Sequence, residues 1–303
     1  MRIDLLFYVM GIHWMRFWLL LLVLFFSFQH AGAVTFRASI EDSRWEMESS
    51  QFVCRLQQEI PSYGVASFEH LAGEEVRFTL TPTQKQQVEG QAKLVAEASS
   101  WQPGIDPQMI GVVKAAPGTG VIEVPAMLAK NMLAALYRGM TPTFNTDQWY
   151  GTPELLKVGV SAANFQSAYT DYLNCIAGLL PVNYRQVART AVLFPSGQTM
   201  LSDATRERLA LIATYVKADN SVQTIYVDGH SDNLGRRLLN RDLSKKRAEE
   251  VSRYLVEQGV AEDRIVTRYH GERYPVVPNT SAKNRARNRR VTIRLEREDA
   301  PVR

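Results

Sequence analysis

Two short stretches concentrate side chains that can do chemistry. Gly229-His230-Ser231-Asp232-Asn233 offers an imidazole, a hydroxyl and a carboxylate in succession, and Leu243-Ser244-Lys245-Lys246-Arg247-Ala248 offers a planar guanidinium among lysines. A carboxylate holds an ammonium group, and a guanidinium holds a carboxylate through two parallel hydrogen bonds, so Asp232 and Arg247 together suit a zwitterion. The same two residues could instead form an ion pair that closes a loop onto a helix, worth only about 0–1 kcal/mol when exposed. His230 is of the residue type that most often serves as a general base, but no evident nucleophile accompanies it, and loop packing or hydrogen bonding is the simpler role.

The two cysteines, Cys54 and Cys175, both fall in the first half. Neither has a Cys or His at metal-ligand spacing. Outside the cytoplasm they are expected to form one disulfide, removing roughly 4–5 kcal/mol of unfolded-chain entropy in the simplest account; two buried thiols are the alternative. Lys283, Arg285, Arg287, Arg289, Arg290, Arg294 and Arg297 form a basic run. Such a run suits nucleic acid in a cytoplasmic protein, but no base-stacking aromatic is interleaved and the chain carries an export signal. Attraction to an anionic polymer and ion pairs within the domain are the competing explanations. No phosphate loop, metal cluster or nucleophile with an ordered base is evident, so no catalytic residue, metal or cofactor is expected.

The elements that must position these residues follow from periodicity. Arg189–Phe194 reads as a strand, a helix runs over Asp203–Ala218 with Leu209, Ile212, Ala213 and Val216 on one stripe, and Gln223–Asp228 is a second strand. A second helix is expected over Leu243–Gln258, stopped by Gly259, followed by strands at Arg264–His270 and Arg290–Glu296. The order βαβαββ implies a mixed sheet with helices on one face. Earlier in the chain, alternation at Glu75–Leu80 and Gly120–Val124 suggests half-buried antiparallel strands, and helical stripes run over Ala126–Tyr137 and Asn164–Leu180. The expected class is therefore α+β, with a mainly antiparallel β domain followed by a mixed-sheet domain. Aromatic residues of the first part, Trp45, Phe52, Tyr63, Phe68, Trp101, Phe144, Trp149 and Tyr150, divide between core and a protein-binding surface.

The chain has 303 residues, 46% apolar and 22% charged, which excludes disorder and a multi-span membrane protein and suggests two domains. Residues 1–183 carry 12 Lys and Arg against 16 Asp and Glu, whereas residues 184–303 carry 23 against 15. The basic half points to an anionic partner. Met15-Arg16, the apolar run Phe17–Phe28 and Ala31-Gly32-Ala33 form a secretory signal with cleavage expected after Ala33, and residues before Met15 read as an upstream start-site extension. The expected layout is a signal at 1–33, a docking domain at 34–183 and a second domain at 184–303.

The blocks Gly229-His230-Ser231-Asp232-Asn233, Asn240, Leu243–Ala248 and Asn288-Arg289-Arg290-Val291 resemble the signature of OmpA-like peptidoglycan-binding domains. The resemblance implies that Asp232 and Arg247 grip the diaminopimelate side chain of the stem peptide, with His230, Asn240, Leu243, Asn288 and Arg289 completing the site. Ser231 stands where Thr is usual and Pro195 where many members have Asp. The first departure keeps the hydroxyl and the second removes an acidic contact.

Ser43–Met47, Cys54-Arg55-Leu56, Ile60–Gly64, Trp101–Gly104 and Tyr172–Ile176 are similar to the N-terminal domain of the MotY family of flagellar motor proteins. That resemblance implies a non-catalytic periplasmic T-ring component whose first domain docks to the basal body and to a MotX-like ring protein. Its second domain would hold the assembly to the wall and help retain stator complexes. A MotB-type stator subunit would need an ion-carrying Asp in an uncleaved helix, and Phe17–Phe28 has no acidic residue. A general envelope-to-wall linker and a wall hydrolase are the remaining alternatives.

Overall fold

The computed structural model describes residues 34–84, 90–99, 101–146 and 155–298. The expected export signal, together with Trp149 and Tyr150, lies outside these residues. The described residues divide into two compact units, one drawn from 34–44, 58–66 and 79–163, the other from 45–57, 67–78 and 164–298.

The first unit contains a five-stranded sheet in the order β1 (Val34–Arg37), β10 (Leu156–Gly159), β9 (Thr141–Thr146), β6 (Gln91–Glu97), β7 (Gln108–Lys114). β1 lies parallel to β10 and the other pairs are antiparallel. Alternation sets its inner face: β6 buries Ala92, Leu94 and Ala96. Helix α1 (Ala126–Tyr137) has the bounds its stripe predicts and packs against β7 and β9, burying Met132, Leu133 and Leu136 while Met127 faces out. A second five-stranded sheet runs β2 (Trp45–Ser49), β3 (Val53–Ile60), β4 (Gly64–Leu71), β5 (Arg77–Pro82), β8 (Ile122–Val124). β5 and β8 begin two residues later than the alternation suggests, because Gly73 and Gly120, both at positive φ, turn the chain just before them. Of the described aromatics, Tyr63, Phe68 and Phe144 are buried, Trp45 and Phe52 half-buried, and Trp101 exposed.

In the second unit, helix α2 (Phe165–Ala177) packs on β2, with the Phe165 ring edge-on to Trp45 at 5.0 Å. The expected disulfide is present: Cys54 on β3 joins Cys175 on α2 across 121 residues of sequence. Helix α3 (Tyr184–Val187) follows, capped by a reciprocal pair between Asn183 and Gln186. Next come β11 (Arg189–Leu193), α4 (Asp203–Ala218), β12 (Val222–Gly229), α5 (Arg237–Glu257), β13 (Ile265–Tyr269), α6 (Ala282–Asn288) and β14 (Arg290–Arg297).

Their sheet has the order β11-β14-β12-β13, with β12 parallel to β13 and β14 antiparallel to both neighbours. One face, Val192, Ile225, Val227, Val291, Ile293 and Leu295, buries Leu209, Ile212 and Val216 of α4 and Ala248, Val251 and Leu255 of α5. The mixed sheet and α4 match expectation. Helix α5 instead starts six residues earlier than expected, because the inward positions of its first half are the polar Asn240, Ser244 and Arg247, which an apolar stripe cannot reveal.

Candidate functional site

The site forms where β12 ends and α5 crosses it. A Cβ at Gly229 would collide with the Ser244 carbonyl oxygen, so only glycine lets the strand end touch the helix backbone. Beyond Gly229 the loop is stitched down by backbone bonds from His230 to Arg290, from Ser231 to Gly271 and from His270 back to Gly229. These bonds place Asp232 beside the inward polar face of α5.

Asp232 is 5% exposed and Arg247 fully buried, at 0%. They do not form the ion pair that was one reading of the sequence. Asp232 Oδ2 instead accepts from Arg289 Nη1 at 2.9 Å, while Oδ1 accepts from the Leu234 amide at 3.2 Å. Arg289 also donates through Nε to the Phe194 carbonyl at 3.1 Å. Arg247 donates Nε to the Gln198 carbonyl at 2.8 Å and Nη2 to the Pro195 carbonyl at 2.9 Å, and its guanidinium lies 5.1 Å from the Phe194 ring centre. Its Nη1 is buried without a partner. Burial pushes the Arg247 guanidinium down to about 10; repulsion from Arg289 adds to this and Asp232 opposes it. At neutral pH it remains a cation with one uncommitted donor.

The other expected residues have distinct positions. Asn240 is buried and donates to Glu272 Oε2 at 3.0 Å. Asn288, fully buried, accepts from the amides of Val276 and Val277 and donates to the Val277 carbonyl and to Asn279, so it fixes the 276–279 loop with its own bonds committed. Leu243 is half-buried on α5. His230 stacks on His270 at 4.9 Å, and its Nδ1 lies 3.4 Å from the Arg273 carbonyl. Of the basic run, Arg289, Arg294 and Arg297 pair with Asp232, Glu296 and Asp219, and Arg290 donates to the Tyr274 carbonyl. Ion pairing inside the domain thus engages much of it.

Burial, with the charge of Arg290 behind it, pushes the His230 imidazole down to about 4. The folded protein therefore carries it neutral where the unfolded chain is already taking up a proton. The stability this represents is complete above pH 6.5, the ordinary histidine value, and is lost as pH falls toward 4. The expected slope over that window approaches one proton, about 1.4 kcal/mol per pH unit. His230→Gln should flatten that section of a melting-temperature-against-pH curve; a variant curve as steep as the parent's would sink the assignment.

Sequence reasoning missed Ser244 and Gly271 as structural parts of the site. Ser244 Oγ accepts from the Gly271 amide at 3.0 Å and so ties α5 to the loop after β13. The signal was available in the i, i+4 spacing of Asn240 and Ser244 within the motif.

Residues 36–181 match the family described as the MotY N-terminal domain, and residues 193–289 match the OmpA family. The sodium-type flagellar protein MotY of Vibrio parahaemolyticus is 29% identical over 263 residues, which cover 86% of this chain and 89% of that one. Outer membrane protein A of Bordetella avium is 33% identical over 115 residues, 38% of this chain and 59% of that protein. Among solved structures, the peptidoglycan-associated lipoprotein of Burkholderia pseudomallei aligns over 35% of this chain and 89% of its own, at 27% identity and a TM-score of 0.34. The C-terminal domain of Helicobacter pylori MotB aligns over 36% and 86%, at 23% identity and a TM-score of 0.34.

Proposed function

We propose that this chain, whose residues 36–181 match the MotY N-terminal domain and residues 193–289 the OmpA family, belongs with the MotY proteins and is a non-catalytic flagellar motor component that anchors the motor to peptidoglycan. Residues 34–183 would dock to the basal body and a MotX-like ring protein in the periplasm, helping to retain stator complexes. Residues 184–303 would hold the wall.

The observation that carries the wall-binding reading is the unpartnered Nη1 of the fully buried Arg247, beside the Asp232–Arg289 pair. A buried cationic donor left unmade is costly, and an incoming carboxylate relieves that cost. The diaminopimelate end supplies one: its carboxylate would bridge Arg247 and Arg289, while its ammonium takes the Asp232 oxygen that Arg289 holds in the free protein. Arg289 is thus exchanged from one carboxylate to another, while Arg247 gains the carboxylate it lacks in the free protein. The Pro195 position, where many relatives of this domain carry Asp, contributes its carbonyl to Arg247 instead.

Asp232→Asn preserves the shape of the loop and removes the charge that would hold the ammonium. In co-sedimentation of residues 34–303 with diaminopimelate-type sacculi, this variant should bind roughly tenfold or more weakly than the parent while melting within a few degrees of it. Equal pelleting of the two would overturn the site. Loss of swimming with intact cell shape on deletion would separate the motor reading from a general linker.

A further inference from the structure

A cleft of about 420 Å³ opens next to this site and is lined by Arg237 and Arg241 of α5, Tyr269 at the end of β13, and Glu272, Arg273 and Tyr274 of the following loop. It adjoins the site through the Asn240–Glu272 hydrogen bond of 3.0 Å, with Arg241 next to Asn240 on the helix. We propose that this cleft is a second subsite for the wall, which takes a further carboxylate of the stem peptide, such as the α-carboxylate of its γ-linked glutamate. The inference rests on the wall-binding reading above and extends it.

Charge and the lack of internal partners point to an anion. Three guanidinium groups face one carboxylate, and that carboxylate already accepts from Asn240. Among the described residues, Arg237, Arg241 and Arg273 pair with no carboxylate. The Arg241 guanidinium lies 5.3 Å from the Tyr269 ring centre and Lys245 Nζ lies 5.9 Å from the same centre, with Lys245 paired to Glu249 at 3.7 Å. The guanidinium groups of the cleft therefore keep their charge for an incoming anion.

The wider groove along β14 makes the contrast. There Arg185, Arg294 and Arg297 pair with Glu74, Glu296 and Asp219 at 2.8, 3.2 and 2.6 Å, leaving little charge for a ligand.

Shape suits a peptide with apolar parts beside its charges. Leu238 and Tyr274 line the cleft at 75% and 67% exposure, and offer apolar faces to the methyl groups and sugar ring that flank such a carboxylate. Two arginine forks hold a carboxylate in a set orientation, which a point charge does not. The two subsites would together read two separate charges of one stem and so fix its direction on the protein.

The test compares free diaminopimelate with a soluble disaccharide-tetrapeptide on the full mature chain and on Arg241→Gln/Arg273→Gln, with Arg237→Gln/Arg273→Gln as a second variant. The expected result is a loss of muropeptide affinity of about tenfold or more in both variants, with diaminopimelate affinity unchanged. Amidation of the glutamate carboxylate should cost the parent a similar factor and the variants little. Muropeptide affinity equal in parent and variants overturns the second subsite while leaving Asp232 and Arg247 standing. A parent that binds neither ligand overturns both readings. If the variants instead lose only adhesion to phosphatidylglycerol vesicles, the cleft serves a lipid headgroup and the inference is wrong.

Discussion

Replacing Cys54 and Cys175 together by serine is expected to lower the unfolding free energy by about 2–5 kcal/mol and the melting temperature by on the order of 10 °C. The bridge spans 121 residues, so the reduced chain regains the freedom of a long loop. Local packing concentrates the loss at helix α2. Helix α2 buries only Phe165 and Tyr172 fully, so those rings and the bridge are its main apolar and covalent ties to β2 and β3. Cys54 is itself fully buried, so a serine hydroxyl there is desolvated on folding. Limited proteolysis should therefore cut within 165–177 in the double variant, ahead of the α4–α5 core. An unchanged melting curve, or two free thiols in the native protein by labelling, would remove this account.

Arg247→Ala should abolish sacculus binding and also lower stability, by about 3 kcal/mol. Truncation leaves the Pro195 and Gln198 carbonyls without their donor and opens a cavity beneath the Phe194 ring. Relief of the desolvated charge offsets part of that cost, which keeps the figure below the loss expected for a buried pair broken on one side. The two effects are separable. Arg247→Lys keeps the cation but not the fork; it should recover much of the melting temperature and little of the binding. Asp232→Asn is the complementary case, with binding weakened and the melting temperature kept within a few degrees. A lysine variant that binds sacculi as the parent does would show that the fork at Arg247 does not read the wall.

The elements legible in the sequence are those with an apolar face. α4 was found to the residue because Leu209, Ile212 and Val216 repeat at helical spacing and Ser202 caps the Thr205 amide. The short helices α3 and α6 carry too few turns to make a stripe, and their capping residues Asn183 and Ser281 were the available cues. The first six of the 21 residues of α5 were hidden for a different reason: Leu238 and Leu239 face solvent there while Asn240 faces in. That inversion marks the site itself, where the protein keeps polar groups for a ligand or for its own loops.

By itself, the sequence revealed the fold class, the mixed sheet of the second part, the pairing of its two cysteines and the likeness of its two parts to the MotY N-terminal domain and the OmpA family. It also singled out Asp232, Arg247 and Arg289 as the charged groups of one constellation. Only the tertiary structure decided how those charges are shared. Asp232 took Arg289, and Arg247 took two backbone carbonyls and kept a donor in reserve. The reason is physical. Motif spacing specifies which charges come near one another, but the partner of each depends on the reach of a rigid guanidinium and on which carbonyls the surrounding loops leave unsatisfied. In a site this dry, those few ångströms set both the cost of burying the charge and what a ligand can offer in exchange.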